Sequence, residues 1–479
     1  MDRKLITDLV VNGGVQLAIR LRGLLFIPII SGTLGVSQFG AYTQIIAVSQ
    51  VLAVTFGLGL PQALVRFGQS DEYHSGSLYS SLLSVSLLSC GSAFVVVFLA
   101  AERMSVLTLN TVQYAAAYRV GSFLMLTRVA IRMGRNYFRM DSRLKTFSLL
   151  QGAKAYLLVA GVTAVVLAFD GDITEIMLVM VLIEVIFAIA IHIQILREVG
   201  LAVPTFPDLA SQLRFSVPLS VSTVASNFSA RADRLLIGFF IGATAVGSYS
   251  IAYQIAVGIS VFLLPITQVF FPKISSFVEK SDYQQSAAYL WQGIRYFLLI
   301  AVPSVAGLFL VGPDLVVRMT GPIENFPSAS VIFLLVSLGI VFKGVDRIFS
   351  VIVSAEKQTA KLSAIRISGA LINVLLNLVA IPAYGVFGAA VTTLFTYLFT
   401  ATAVYLASRR IITIPIDAMT VSKICTASTG MVAFIWIFDI ETLASTIVVG
   451  AASYGVLIFA MRELTVCELR RLTRLDETS

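Results

Sequence analysis

The chain has 479 residues, of which 57% are hydrophobic and only 13% are charged, and its mean hydropathy is +0.90. A soluble surface needs about twice that charged fraction, so the composition excludes a water-soluble globular protein. The three cysteines and two histidines are scattered, which excludes a disulfide framework and a zinc site, and we expect no metal and no cofactor. The net charge of +8 is distributed around apolar runs, so we expect a membrane, and not nucleic acid, as the partner.

Apolar runs long enough to cross about 30 Å of hydrocarbon follow one another along the whole chain. They predict an all-α polytopic membrane protein with about fourteen transmembrane helices. The runs lie near residues 9–32, 42–65, 79–100, 111–132, 147–169, 174–196, 215–239, 247–271, 291–312, 328–353, 362–382, 388–407, 420–438 and 442–461. The basic start of the chain leads into the first run without a small-residue cleavage site, so we expect this run to remain as an anchor.

The basic residues outside these runs predict the orientation. If the N-terminus is cytoplasmic, the outside loops carry only Arg103 and Arg318, whereas all other loop Lys and Arg residues face inward. This bias places both termini in the cytoplasm and the protein in the cell (cytoplasmic or inner) membrane. The connecting segments are short, so no extramembrane catalytic domain fits in them, and we predict that the protein is not an enzyme.

A glycine motif occurs twice in the chain. Residues 34–42 join the first two predicted spans, and Gly35 and Gly40 in this segment recur 207 residues later in residues 241–249. Glycines five apart suit a tight turn or a close approach of two helices. Because six spans separate the copies, the two halves have the same orientation across the membrane. The predicted domains are a six-helix lobe in 1–200, a second six-helix lobe in 201–410, and two added spans with a basic tail in 411–479.

Basic residues outnumber acidic residues within the predicted spans. A charge near the bilayer centre costs roughly 2.5–3.5 kcal/mol unless it faces water or a partner, so the excess predicts a cationic cavity. We predict that arginines of spans 1 and 7 bind an anionic substrate: Arg20, Arg22, Arg231 and Arg234. Arg231 and Arg234 share a helix face, where two guanidinium groups hold an anion by forked hydrogen bonds. The alternative is that these residues only join the two halves through ion pairs.

Other intramembrane charges are candidates for ion coupling or for ion pairs: Asp233, Glu184, Lys343, Asp346 and Arg347. The last three are spaced i, i+3 and i+4, so Asp346 is expected to neutralise its neighbours. Arg20 and Arg22 lie about 200° apart on a helical wheel, and one of them is expected to pair with an acid such as Glu184.

A basic stripe follows the predicted fourth span, with Arg128, Arg132, Arg135, Arg139 and Arg143 at helical spacing. It indicates a helix that lies against anionic lipid headgroups, and the alternative is an electrostatic funnel for an anionic substrate. Arg128, at the end of this span, is expected to reach the membrane face with its head group in water.

Three motifs carry a family resemblance: LG followed by FGAY in 34–42, DRLLIG followed by GSY in 233–249, and IPAYGVFGAA in 381–390. With them the chain resembles the polysaccharide-transporter (O-antigen flippase-like) family of the multidrug/oligosaccharidyl-lipid/polysaccharide exporter superfamily. The resemblance implies two six-helix lobes around a cationic cavity and two added C-terminal helices. It also implies alternating-access transport of a polyprenyl-(pyro)phosphate-linked oligosaccharide for surface polysaccharide or lipopolysaccharide O-antigen synthesis, with membrane lipids and other polysaccharide-assembly proteins as partners.

Two alternative functions stay open at this stage. A multidrug or cation antiporter of the same superfamily would have a cavity dominated by acids, which the excess of Lys and Arg disfavours. A membrane polysaccharide polymerase or ligase would need a larger extracytoplasmic loop than the one near 312–328.

Overall fold

The computed structural model describes residues 19, 21–69, 75–141, 143–200, 202–206, 208–321, 329–440 and 442–463. These residues form sixteen helices and no strand. The helices are α1 (Leu21–Leu34), α2 (Val36–Phe56), α3 (Leu60–Phe67), α4 (Ser75–Leu99), α5 (Ala101–Leu109), α6 (Ala115–Met140), α7 (Leu144–Ala168), α8 (Ile173–Val199), α9 (Leu209–Phe240), α10 (Ala243–Val257), α11 (Leu263–Glu279), α12 (Tyr283–Thr320), α13 (Ala329–Ala355), α14 (Thr359–Arg409), α15 (Ala418–Ile437) and α16 (Leu443–Ala460). Arg20 lies outside the described residues.

Ten of the helices in the described chain are long and apolar enough to cross a membrane, which confirms a polytopic all-α membrane protein. The count of fourteen spans stays a prediction. One helix, α14, contains two of the predicted spans, and it breaks at Gly385, whose φ of 60° and ψ of −139° suit a residue without a Cβ. Pro382 lies about one turn before this break and removes a backbone donor from the helix.

Polar side chains define where several helices begin. Asp172 caps α8 by accepting hydrogen bonds from the backbone of Thr174 and Glu175, and the Glu175 side chain accepts from the Asp172 backbone N–H at 2.6 Å. This capping box satisfies donors that would otherwise have no partner at the helix start. Asp282 and Asp417 cap α12 and α15 in a simpler way. Each such cap contributes about 1 kcal/mol, so local side chains determine where these helices start.

The repeated glycines lie where α2 crosses the first part of α10. A Cβ built on Gly40 would come within 1.9 Å of the Ala243 carbonyl oxygen, and one on Gly247 within 2.1 Å of the Val36 carbonyl oxygen. Gly247 and Ala243 are the residues 207 positions after Gly40 and Val36. The two close contacts are therefore one contact repeated about a local two-fold axis.

A hydrogen bond marks the same axis. Thr43 Oγ1 and Ser250 Oγ lie 3.2 Å apart, and these residues too are separated by 207 positions. Since each hydroxyl occupies the repeat position of the other, the bond lies on or close to the axis. The crossing of α2 and α10 is the structural counterpart of the sequence repeat.

Substitution of Gly40 by alanine should destabilise the protein. The added methyl group meets backbone atoms that cannot rotate away, so the helices must separate, at a cost of about 1–3 kcal/mol. Thermal unfolding of the purified protein in detergent measures this change. Gly91→Ala in α4 is the matched control, because nothing lies within 4 Å of the position that its methyl group would take. Equal melting temperatures for the two variants would contradict the assigned close packing.

Backbone distances divide the chain into two compact units. The first unit contains Gly14–Ser250 and Ala370–Ala389, and the second contains Ile251–Gly369 and Ala390–Ser479, each as far as it is described. A core cluster in the first unit surrounds the fully buried rings of Tyr79 and Phe138. The lobe boundaries after 200 and 410 follow from the repeat and stay a prediction.

In the second unit a buried carboxylate joins three separate segments. Glu463 accepts a hydrogen bond from Arg295 Nε of α12 at 2.9 Å and from Thr420 Oγ1 of α15 at 3.0 Å. Lys423 Nζ lies 3.4 Å from its other oxygen. These contacts hold α12 and α15 beside the segment that follows α16, so Arg295 and Lys423 serve packing in this unit.

Candidate anion-binding site

A buried carboxylate organises the first unit. Glu184 of α8 accepts a hydrogen bond from Thr127 Oγ1 of α6 at 2.8 Å. Arg128 Nε lies 3.9 Å from one oxygen of this carboxylate, and Lys154 Nζ of α7 lies 3.7 Å from the other. The three charged side chains are between 7% and 16% exposed. Helices α6, α7 and α8 thus bring two cations and one acid together in the interior.

Arg128 does not occupy the position expected at a membrane face. Its Nη1 donates to the Ile46 carbonyl oxygen of α2 at 3.0 Å, and its side chain is only 16% exposed. The physical reason is the length of α6, which continues to Met140 and therefore places Arg128 near its middle. The apolar run ends near residue 132, well before the helix does, so hydropathy alone puts this arginine too close to a span end.

The basic stripe does not continue as one helix. Helix α6 ends at Met140, and Arg143 directly precedes α7. Arg143 Nη1 donates to Glu198 Oε1 at 2.8 Å, and its guanidinium also lies against Asp141. The last residue of the stripe is therefore held by carboxylates of the protein.

Arg22 of α1 is partly exposed and lies near Phe26, one turn further along the same helix. Its guanidinium carbon is 5.8 Å from the ring centroid of Phe26, and its Nε is buried without a hydrogen-bond partner in the described part of the chain. Among the described residues, Glu184 forms its ion pairs with Arg128 and Lys154 and none with Arg22.

The two arginines predicted in the seventh span lie on α9 and are partly exposed. Arg231 Nη2 donates to Gln50 Oε1 of α2 at 2.8 Å, and Nη1 donates to the Asn227 carbonyl oxygen at 3.1 Å. Both acceptors are neutral groups, and the two hydrogen bonds orient the guanidinium group. Arg234 follows one turn later on the same face.

Asp233, between the two arginines in sequence, is buried. One of its oxygens accepts from the Tyr249 hydroxyl and the other from Asn377 Nδ2, each at 2.9 Å. Tyr249 is the repeat counterpart of Tyr42, which is buried against the ring of Phe26.

Lys343, Asp346 and Arg347 of α13 do not form the ion pairs that their i, i+3 and i+4 spacing predicts among the described residues. Lys343 Nζ donates to the Tyr397 hydroxyl at 3.0 Å and lies 4.6 Å from that ring centroid, with the Tyr253 hydroxyl 3.4 Å away. Within the described residues Asp346 forms no ion pair, and its Oδ1 is buried without a partner. The aromatic rings and hydroxyls of two other helices attract the ammonium group more than its i+3 neighbour does. Arg347 is exposed.

These positions together describe a site that suits an anion. In the first unit, Arg128 and Lys154 flank the buried acid Glu184, and Arg231 donates hydrogen bonds to Gln50 and Asn227. Guanidinium and ammonium groups bind phosphate oxygens well when water is restricted. The sequence alone does not indicate Lys154 as a member of the site. Its contact joins residues of three different helices, α6, α7 and α8, and the sequence of a single helix shows no pattern that predicts it.

Comparisons with known proteins identify related chains. A family model described as polysaccharide biosynthesis protein matches residues 5–278, which is more than half of the chain, and the MatE model matches residues 218–379. The probable flippase AglR of Haloferax volcanii is 24% identical over 450 residues, covering 89% of this chain and 90% of that protein. The probable low-salt glycan biosynthesis flippase Agl15 of the same organism is 24% identical over 194 residues, covering 40% of this chain and 41% of that protein.

Solved structures share the fold at low sequence identity. The lipid II flippase MurJ in an inward closed conformation has a TM-score of 0.79 at 16% identity, covering 96% of this chain and 99% of that chain. An inward-facing multidrug resistance MATE family transporter of the MOP superfamily has a TM-score of 0.67 at 15% identity, covering 86% of this chain and 99% of that chain. At these identities the likeness concerns the fold alone.

Proposed function

Because the chain belongs to the polysaccharide biosynthesis protein family, we propose that it is a flippase that moves a lipid-linked glycan from the inner to the outer leaflet of the cell membrane. It is a multi-pass membrane protein whose relatives are transporters, not enzymes. The substrate class we propose is a polyprenyl-(pyro)phosphate-linked oligosaccharide used for a surface polysaccharide. Other proteins of polysaccharide assembly are proposed partners.

The observation that carries this proposal is the excess of cations inside the first unit. Arg128 and Lys154 outnumber Glu184, the buried acid with which both form ion pairs. A charged headgroup crosses hydrocarbon only at high cost, and preoriented cations in a wet cavity replace the water that it loses. An antiporter for cationic drugs would need the opposite balance of charge.

Neutral amide groups supply the other half of the proposed site. Gln50 and Asn227 flank the Arg231 guanidinium, and both are partly exposed. Amides both donate and accept hydrogen bonds, as sugar hydroxyls do. We propose that arginines hold the phosphate groups, that these amides contact the first sugars, and that the lipid tail stays in the bilayer.

The proposed mechanism is alternating access. The repeat halves 1–200 and 201–410 rock against each other, with both termini in the cytoplasm as the distribution of Lys and Arg indicates. No bond is made or broken in this cycle. Coupling of the cycle to an ion stays a hypothesis, for which Asp233 is the candidate residue because its carboxylate is buried and accepts hydrogen bonds from Tyr249 and Asn377.

A reconstituted assay tests the proposed function. The full chain is placed in vesicles that contain a polyprenyl diphosphate oligosaccharide with a fluorophore on the sugar, and a reductant that cannot cross the bilayer is added outside. We expect the protein to expose the fluorophore of both leaflets, whereas protein-free vesicles expose only that of the outer leaflet.

The MatE match favours a second candidate, a cation antiporter. Uptake of a cationic dye driven by an ion gradient, without movement of the glycan lipid, would replace our proposal by that one.

A further inference from the structure

The segment that joins α8 to α9 lies along α4. Residues 202–206, here called the joining segment, form no helix or strand. Ser77 Oγ of α4 donates to the Val203 carbonyl oxygen at 3.5 Å, and the hydroxyls of Ser77 and Thr205 contact each other. One turn further along α4, the Ser81 hydroxyl is shared between the Ser77 and Thr205 carbonyl oxygens. Two serines on one face of α4 therefore hold the backbone of the joining segment.

These contacts place the joining segment at the predicted boundary of the membrane. By sequence it lies between the predicted spans 174–196 and 215–239, in a stretch expected to be in water. The helix that holds it, α4, is long and apolar enough to cross a membrane, and its predicted span begins at residue 79. Ser77 precedes this start by two residues and Ser81 follows it by two. The joining segment thus lies at the depth where the hydrocarbon begins.

The side chains of the joining segment are apolar and exposed. Val203 is 79% exposed and Phe206 is 50% exposed. Irregular backbone at membrane depth is tolerated only where its polar groups have partners. The serines of α4 supply partners for two carbonyl groups, and Pro204 has no N–H to satisfy. The backbone is therefore satisfied on the side of α4, while Val203 and Phe206 form an apolar outer surface.

Basic residues flank this surface along the chain. Arg197 near the end of α8 and Arg214 in α9 are both exposed. Two acids lie in the same stretch, Glu198 and Asp208, and Glu198 is already paired with Arg143 at 2.8 Å. An apolar surface with a positive balance of flanking charge is typical of segments that enter the boundary between lipid headgroups and acyl chains.

We propose that the joining segment is an interfacial anchor whose partner is the lipid of the leaflet at the predicted cytoplasmic face. Val203 and Phe206 enter the boundary between headgroups and acyl chains, and Ser77 and Ser81 hold the backbone behind them. This inference goes beyond the proposed function. The point where the two predicted repeat halves join is then attached to α4 on one side and to the membrane on the other.

A fluorescent reporter at Phe206 tests the proposal. The two native tryptophans are removed as Trp291→Phe/Trp436→Phe, and Phe206→Trp is added to the full chain. The protein is placed in vesicles of phosphatidylcholine and phosphatidylglycerol that carry bromine at defined depths of the acyl chain. We expect bromine near the headgroup end to quench the reporter at least about twofold more than bromine near the chain end.

Tyr283→Trp in the same background is the control. Tyr283 is another exposed aromatic residue, and it lies eight residues before the predicted span 291–312, where we expect water. Iodide in the water should quench this control strongly and the Phe206→Trp reporter weakly. Strong quenching of the Phe206→Trp reporter by iodide, without quenching by brominated lipid, would place the segment in water and overturn the proposal. Protection from both quenchers would mean that protein covers the segment, which also overturns it.

Serine variants test how the backbone is held. In the reporter protein, Ser77→Ala/Ser81→Ala leaves the carbonyl groups of the joining segment without these donors, so the segment should move toward water and quenching by brominated lipid should fall about twofold or more. Ser80→Ala/Ser84→Ala is the matched control, because these hydroxyls donate to carbonyl groups of α4 itself. Equal quenching in the two double variants, at equal melting temperatures in detergent, would overturn the role of Ser77 and Ser81. The measurement needs no glycan lipid, so it does not depend on the proposed function.

Discussion

The double variant Arg231→Ala/Arg234→Ala should be made and inserted normally but should export almost no glycan. Arg231 is oriented by Gln50 and Asn227, and Arg234 follows one turn later on the same helix face. The loss of two charge-assisted contacts to phosphate should reduce transport about 100-fold. The measurement is complementation of a deletion strain, with the length of the surface glycan and the accumulation of the lipid-linked unit on the inner leaflet as readouts.

The control variant removes an arginine from an exposed ion pair outside the proposed site. Arg119 pairs with Glu102 at 2.8 Å where both side chains are well exposed, so Arg119→Ala should change stability and export little. Arg231→Lys adds a second comparison, because it keeps the charge but loses the forked geometry that Gln50 and Asn227 maintain. Full-length surface glycan in the double variant, at normal protein levels, would remove Arg231 and Arg234 from the site.

Local patterns in the sequence are sufficient to predict much of the fold. Apolar runs predict the helices because the bilayer requires every backbone group to be paired within its own segment. The spacing of Gly35 and Gly40 predicts close approach of helices, and the structure places Gly40 against the backbone of α10. Motif 381–390 marks the break of α14, where Gly385 adopts a positive φ. Each of these features depends on residues that are near one another in the chain.

The sequence predicts the site less well because its contacts join different helices. Lys154 is one of several basic residues in apolar runs, and nothing in its own helix indicates that Glu184 lies opposite it. Arg128 falls near the end of a predicted span because arginines lower the hydropathy at the inner end of α6, although the helix continues to Met140. Lys343 lies between two tyrosines of other helices, so its i+3 neighbour Asp346 is the wrong partner.

The sign of the charges inside the protein says more about its substrate than the shared fold does. The MurJ flippase and the MATE transporter share this fold with the chain, although one is named for lipid II and the other for multidrug resistance. A shared scaffold therefore does not choose between a glycan lipid and a drug. The choice depends on the side chains that face the substrate, and in the first unit the two cations Arg128 and Lys154 flank the single acid Glu184.

A disulfide across the crossing of α2 and α10 should stop transport. Thr43 and Ser250 already approach within 3.2 Å through their hydroxyls, so Thr43→Cys/Ser250→Cys places two sulfurs where a bond can form under mild oxidation. The two helices belong to different predicted repeat halves, and the alternating access that we propose requires these halves to separate on one side of the membrane in each cycle. Because the crossing follows the first and seventh spans, at the predicted outer face, the bond should trap the state that is closed to the outside.

The experiment is done in a background without the native cysteines Cys90, Cys425 and Cys467. Flipping in vesicles should fall to the protein-free level after oxidation and return when a reductant is added. Thr442→Cys/Ser445→Cys is the matched control, since these hydroxyls lie 2.5 Å apart at the start of a single helix, α16, and a bond there joins nothing that must separate. If the oxidised Thr43→Cys/Ser250→Cys protein transports as fast as the same protein after reduction of the disulfide, this crossing stays closed throughout the cycle. The rocking of the two halves would then need another pivot.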